Sequence, residues 1–327
     1  MRRLAPSLAA AILALSAQPA LAEPLDMDLE RLGAPDPRVW QNLGVTDAAT
    51  AAALAKDAKQ RFGILSSDLA LALSSAMLQP ASTTGHSQFD IDMEIASVQI
   101  HPKAISSAPA PSFFTPPPAW PGHGSSNPGS LLLPSLHVRK ALPFSFEVGG
   151  RMTYVSQSSY FAAQGEAKWS LNEGFDVLPD LGIRLAYTRL FGQMSWNLGA
   201  TDLDLMVSKR WGVMGVTSFT PYAALRFTFL SASSDRMYFP KTPEPTSPSP
   251  DPATVDAQSA PFPTLRTTFF RTTLGLRFTS YSVSLATELT LFPGKKYSGK
   301  SNPTADQYPD FSVASSVGGA FKLGWEF

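Results

Sequence analysis

Read alone, the sequence predicts an all-β fold: a transmembrane, antiparallel, up-and-down barrel of about ten strands, with a short N-terminal helical segment before it. Three observations predict it. The stretch from Phe311 to Phe327 alternates, with Phe311, Val313, Val317, Phe321, Leu323, Trp325 and Phe327 on one parity and Ser312, Ser316, Lys322 and Glu326 on the other. That pattern suits a wall with lipid on one side and water or packed polar groups on the other. Charged residues are only 16% of the chain while mean hydropathy is -0.02, a combination that alternating strands produce and continuous apolar helices do not. Past the first 22 residues no apolar run approaches the roughly 20 residues a membrane helix needs. The best candidate, Ile64 to Leu78, is broken by Ser66, Ser67, Asp68, Ser74 and Ser75.

Residues 1–22 read as a signal peptide. Arg2 and Arg3 precede an apolar stretch from Leu8 to Ala17, and Ala20-Leu21-Ala22 supplies the small residues of a cleavage site, so the mature chain is expected to begin at Glu23. With Cys 0 there is no lipid-anchoring cysteine and no dependence on disulfides. Residues 23–87 lack strand alternation. Thr46 or Asp47 can cap a helix over Ala48–Phe62, and a second, more apolar helix is expected from Ile64 to Met77, after Gly63 and before Gln79-Pro80. This segment either stays periplasmic or places Leu65, Leu69, Ala72 and Leu73 in the barrel mouth as a plug.

The barrel is expected over residues 88–327, with strands near 88–100, 131–141, 144–155, 160–171, 181–192, 200–211, 218–231, 264–279, 280–292 and 311–327. The first, seventh and ninth connections are long and hold much of the total of 29 Pro. By contrast the second is only Leu142-Pro143, the sixth lies near Gly212–Gly215, and the eighth turns at Thr279-Ser280. Every long loop therefore falls on an odd connection, as in a barrel with short periplasmic turns, long outer loops and an even strand number. Eight or twelve strands remain open.

The pleat sorts side chains into two faces. Phe89, Ile91, Met93, Phe146, Val148, Leu185, Leu205, Phe229, Leu274 and Leu289 fall outward. Asp90, Asp92, Glu94, Arg139, Glu147 and Arg151 fall inward, and so do Glu166, Lys168, Arg184, Asp202 and Asp204, then Arg226, Arg271, Arg277, Glu288 and Lys322. His137, Gln164, Arg210 and Tyr222 share that parity. A one-residue slip of a strand would send its charges into lipid at roughly 2 to 4 kcal/mol for each Arg or Lys near the midplane, so Arg184, Arg226, Arg271 and Arg277 fix the register. Tyr154, Tyr160, Trp169, Tyr187, Trp211, Tyr238, Tyr281 and Trp325 lie near strand ends, where interfacial girdles form.

Both signs of charge occur on neighbouring strands. Arg151 is expected to meet Glu166, Arg226 to meet Asp202 and Asp204, and Glu288 to sit between Arg277 and Lys322. In a bore of about ten strands such pairs either fill the interior or line a narrow selective pore. Net charge +0 leaves no footprint for nucleic acid. Four His offer no metal spacing, and His86-Ser87, adjacent on an extended chain, point to opposite faces. No cofactor is expected.

The closing strand resembles that of bacterial outer-membrane β-barrels. There a terminal Phe with apolar residues at two-residue spacing is the recognition mark of the assembly machinery, a role the resemblance gives to Phe321, Leu323, Trp325 and Phe327. The run Gln79 to Phe89, leading into an acidic strand, resembles the start of the barrel in uncharacterised, myxobacterial-like outer-membrane proteins. A barrel of this size is also similar to the omptin proteases, whose sites join an Asp pair to an Asp-His pair at the rim. Asp90-Ile91-Asp92 and Asp202-Leu203-Asp204 supply carboxylates but no His, so no enzyme is expected. The expected function is porin-like passive permeation or uptake of a small solute through a narrow, charge-lined lumen. The alternative is a surface adhesion or binding protein, or an envelope scaffold, acting through its long loops. Outer-membrane lipid and the assembly machinery are the expected partners.

Overall fold

The computed structural model describes residues 25–327 apart from 75, 86–87, 101–104, 108, 118–128, 176, 193–194, 214, 241–250 and 300–307. The signal peptide and its cleavage after Ala22 lie outside the described residues, as do His86, Ser87, His101 and His123. Ten strands form the wall: β1 Phe89–Gln99, β2 Ser130–Leu142, β3 Phe146–Tyr154, β4 Phe161–Asn172, β5 Asp180–Phe191, β6 Trp196–Ser208, β7 Thr217–Ser234, β8 Leu265–Ser280, β9 Val283–Phe292 and β10 Ser316–Glu326. Each pairs antiparallel with its neighbours in sequence, and β10 pairs with β1 to close the ring. At the seam the backbones of Phe89 and Phe327 exchange both hydrogen bonds, at 3.1 and 2.8 Å. The three long connections, β1–β2, β7–β8 and β9–β10, all lie at one end of the barrel, the loop end, with the short β3–β4 and β5–β6 connections beside them. The other four connections, none longer than residues 209–216, make the turn end together with Phe89 and Phe327.

Alternation sets the wall as expected. Met93, Val148, Leu185, Leu205, Leu274 and Leu289 are exposed on the outer face. Stacked aromatic pairs mark both rims, Phe146 with Trp169 at the turn end and Phe161 with Phe191 at the loop end. Tyr160 does not join them. It is buried, and its hydroxyl donates to the Met27 carbonyl at 2.9 Å while accepting from the Met27 amide at 2.8 Å. Arg210 is exposed beyond the end of β6 instead of facing inward.

Three local expectations change. Phe144 and Ser145 form the β2–β3 turn with φ of 64° and 60°, so β3 starts at Phe146. The eighth turn lies at Tyr281-Ser282. The terminal strand is broken at Ala314-Ser315: Phe311–Val313 pairs with Lys295–Tyr297 in a separate hairpin, and Phe311 and Val313 are buried. The reason is packing, since the Phe311 ring lies against the helix described next.

Before the barrel come a short helix α1, Pro37–Asn42, capped by Asp36, and a long helix α2, Ala48–Leu73, capped by Asp47. Thus the two helices expected on either side of Gly63 are one. A glycine inside a helix costs up to about 1 kcal/mol, and here it makes room: a Cβ at Gly63 would sit 2.7 Å from the Phe311 ring. At 1.5 Å per residue α2 is about 39 Å long, enough to run from the loop end well into the bore.

The interior has two tiers. Toward the loop end the inward side chains are apolar, including Val98, Leu131, Leu133, Leu190, Leu198, Leu230, Phe269 and Phe292, and they form one buried cluster with Leu54, Phe62, Leu65 and Leu69 of α2. Phe62 stacks on Phe262 at 4.5 Å between ring centroids. Toward the turn end the inward side chains are charged. Because the ring has no free edge for detergent to invade, the folded protein is expected to migrate differently on a gel before and after boiling. Identical mobility would count against closure.

Candidate functional site

The charged tier concentrates ionisable side chains on one face, and apart from Arg210 every charged residue assigned inward is buried, from Asp90 on β1 to Lys322 on β10. Cations and carboxylates are closely balanced on that face, so a closed wall holds them as pairs. Asp92 accepts from Arg139 at 2.9 Å and from Lys322 at 2.8 Å, and Asp90 is paired with the same two cations. Glu147 lies 3.2 Å from Arg139 and 3.1 Å from Lys168. Further round, Glu94 meets Arg151 at 2.8 Å, Glu166 meets Arg184, Arg184 and Arg226 share Asp204, and Arg271 reaches Asp202 at 3.2 Å.

Three of the expected arrangements change. Arg151 stands opposite Gln164 in the β3–β4 register, while Glu166 stands opposite Gly149, so Arg151 turns to Glu94. Of the two partners expected for Arg226, it bonds Asp204, while Asp202 goes to Thr228 and Arg271. Glu288 is not between Arg277 and Lys322. Those two cations stand opposite Ala286 in the β8–β9 and β9–β10 registers, and they pair with Glu326 and with the Asp90/Asp92 couple instead.

What Glu288 binds is the chain that leaves α2. Its carboxylate accepts from the Met77 amide at 3.0 Å, from the Leu78 amide at 2.6 Å and from the Tyr222 hydroxyl at 3.1 Å. Leu78 has φ 54°, a conformation that a branched residue adopts only when its surroundings impose it. The wall treats the rest of this segment in the same way. Arg271 donates to the carbonyls of Leu71 at 3.0 Å and Ser74 at 3.1 Å, and Arg226 also donates to Ser74. These carbonyls end α2, where the helix leaves acceptors unsatisfied and the dipole is negative, so two guanidinium groups fit there.

Arg151 donates to the Ala76 carbonyl at 2.6 Å, and Lys168 to those of Pro80 at 3.3 Å and Ser82 at 3.0 Å. Gln79 joins the two halves of the ion-pair network: its side-chain oxygen accepts from Arg139 at 3.1 Å and Lys168 at 3.0 Å, and its nitrogen donates to Glu166 at 2.9 Å. Ala81 passes so close to the wall that a Cβ at Gly182 would lie 2.9 Å from its carbonyl oxygen. Thr83 and Thr84 then bond Glu173 at 2.7 Å and Glu147 at 3.1 Å. Of the two placements the sequence leaves open, periplasmic or plug, the segment takes the second and runs through the polar tier as well, and a further signal in the strands points that way. Along β1, β2, β7 and β9 the inward parity changes from charged to apolar toward the loop end, which a water-filled pore does not require and an inserted apolar helix does.

Asp92, Glu94 and His137 bring potential metal ligands within 4.8 Å of one another. Arg139, Lys322 and Arg151 already occupy the two carboxylates, and His137 spends its ring nitrogens on Glu94 at 3.0 Å and Glu166 at 3.1 Å. A further cation there would face three fixed positive charges, so this donor set fits no metal.

At the loop end, residues 25–43 make a cap with the long loops. Arg61 of α2 donates to the Leu32 carbonyl at 2.8 Å and to that of Ile105 at 2.6 Å, and Trp40 packs edge-on against Phe114 at 4.9 Å. A cavity of about 540 Å³ opens here beside Asp28, Glu30, Arg31, Phe114 and Phe239. Burial, and then the charge of Asp28, raise Glu30 to about 6.

No family model matches the chain, and no curated protein matches it. Among solved structures it is similar to Ail, the attachment invasion locus protein of Yersinia pestis (10% identity, 74% of this chain and 100% of that one, TM-score 0.25). It is similar also to Neisserial surface protein A (9%, 73% and 97%, TM-score 0.26) and to the translocator domain of the autotransporter NalP from Neisseria meningitidis (8%, 73% and 87%, TM-score 0.32). Overlaps this low leave the strand pairing itself as the ground for the fold, and nothing in them supports a myxobacterial-like family.

Glu288→Ala is expected to cost about 1 to 3 kcal/mol for each buried donor left unmet among the Met77 amide, the Leu78 amide and the Tyr222 hydroxyl, whereas Leu289→Ala next to it costs less because lipid or detergent refills the gap. Urea titration of the refolded variants measures both, and a larger loss at Leu289 would mean that the β9 register is wrong. A second expectation concerns Glu30. Its pKa in the folded chain lies above the ordinary carboxylate value of 4.5, so its ionisation works against the cap: the penalty is absent below about 4.5 and develops as pH rises through about 6. Residues 25–43 should thus be better protected from protease at pH 5 than at pH 7.5 in the natural chain, after normalising to an unfolded substrate. Glu30→Gln should remove that difference, and an unchanged difference would exclude Glu30 as its source.

Proposed function

We propose that this chain is a bacterial outer-membrane barrel closed by its own N-terminal segment, and that it acts at the cell surface through the loop-end cap, as a binding or adhesion protein or an envelope scaffold. The observation that carries the reading is the run from Ser74 to Thr84, bonded along its length to inward side chains of the wall. Passive permeation, the function expected from the lumen charges alone, would need that run to leave, and each donor and acceptor it satisfies would then have to be met by water. The outward apolar belt and the paired rim aromatics fit outer-membrane lipid.

In this reading the signal peptide directs export, and Phe321, Leu323, Trp325 and Phe327 serve the assembly machinery. Phe321, Trp325 and Phe327 are exposed on the outer face, where a partner can reach them. Catalysis has no part in it, because the carboxylates of Asp90, Asp92, Asp202 and Asp204 are each held by an Arg or Lys. No cofactor or nucleic acid is involved.

Planar-bilayer recording of the refolded full-length chain tests the reading. No steady conductance is expected. A steady, ion-selective conductance from protein that is correctly folded by its gel mobility would return the function to solute passage.

A further inference from the structure

The segment between Leu25 and Gln88 has its two ends at opposite ends of the barrel. At the loop end the Leu25 amide donates to the Gln157 carbonyl at 2.9 Å, Asp26 accepts from Ser159, Asn42 donates to the Ala257 carbonyl at 2.7 Å, and Gln60 donates to the Asp310 carbonyl at 2.7 Å. At the turn end Thr83 bonds Glu173, and Phe89 begins β1 beside Phe327. Between them α2 and the run that follows occupy the bore.

We propose that the barrel carries its own N-terminal segment across the membrane, so that the Leu25 end of the mature chain lies on the outer face, among the long loops. The inference rests on the reading above, in which those loops face outward. An exported chain reaches the outer membrane from the periplasmic side, which is the turn end, and a closed ring offers no lateral gap through which the Leu25 end could pass. Whether it threads a finished ring or the ring closes around it, the segment crosses through the bore.

The polar tier suits such a passage. Arg226, Arg271, Arg151 and Lys168 bind carbonyls of the segment, and Glu288 binds amides. Every non-proline residue presents these same groups, so a chain in transit meets equivalent partners at each step. The apolar tier then suits retention. Once Leu54, Phe62, Leu65 and Leu69 have coiled into α2 against the loop-end wall, retreat would expose that whole face to the charged tier.

The chain contains no Cys, so single cysteines report position without background. Three exposed sites serve: Ala49 in the first turn of α2, Ala253 in the short helix Pro252–Ala257 of the seventh loop, and Ser282 in the β8–β9 turn. Each variant is first checked for the folded gel mobility. It is then treated in intact cells with a maleimide too large to cross the outer membrane, and again after permeabilisation. The expected result is equal labelling of Ala49→Cys and Ala253→Cys on intact cells, with Ser282→Cys labelled only after permeabilisation. Labelling of Ala253→Cys with Ala49→Cys protected until permeabilisation would overturn the inference and leave the surface orientation standing. Labelling of Ser282→Cys on intact cells, or of none of the three, would overturn the orientation or the location and the inference with it.

Discussion

A charge facing inward from a closed wall has to find a partner inside that wall, and this requirement organises the molecule. The ring cannot open to solvent without breaking ladder hydrogen bonds, and the charges cannot rotate outward without entering lipid. Matching signs around the ring meets most of the demand. The remainder is met by backbone groups of the segment after α2, so wall and segment each complete the other's hydrogen bonding. Arg271 makes the point. Its contact with Asp202 is one bond among several, and those to Leu71 and Ser74 exist only because α2 ends where it does.

Buried ion pairs of this kind are weak grounds for stability, because desolvation offsets most of their Coulomb gain. Their effect is on uniqueness. Shifting the segment by one residue would take the Met77 and Leu78 amides away from Glu288 and the Gln79 amide away from Arg139, Lys168 and Glu166 together. The strained φ at Leu78 has the same meaning. A conformation that costs of order 1–3 kcal/mol persists only where surrounding contacts over-determine it.

The wall was legible in the sequence because its periodicity is two and its penalty for error is large. Ten strands, their boundaries to within a few residues and the inward parity of the charges all follow from alternation and from loop parity. Pairing partners were not legible, since they depend on the slant of neighbouring strands: Arg277 and Glu288 are on adjacent strands yet point to different partners. The single helix was missed for a different reason. Gly63 is a local break signal, and what overrides it is the Phe311 ring, nearly 250 residues further on. Phe311 itself was placed on the lipid face by parity, because a break at Ala314-Ser315 leaves no mark in a run that keeps alternating.

Outside the barrel, apolar side chains meet lipid whose tails are about as apolar as they are, so burying them there adds little drive to fold. The usual hydrophobic gain must come from elsewhere, and here it is concentrated where α2 meets the loop-end wall. Phe62, Trp196, Phe262 and Tyr308 come from the helix and from three separate parts of the wall and loops, and pack as one cluster. The inserted segment is therefore the nearest thing this protein has to a core. The long loops are ordered against it as much as against the strands, through Ile105 on Arg61, Ser107 on Asp57 and Ala257 on Asn42. An open bore would remove that core and release the cap, which is why a filled interior and a structured outer surface belong to the same design.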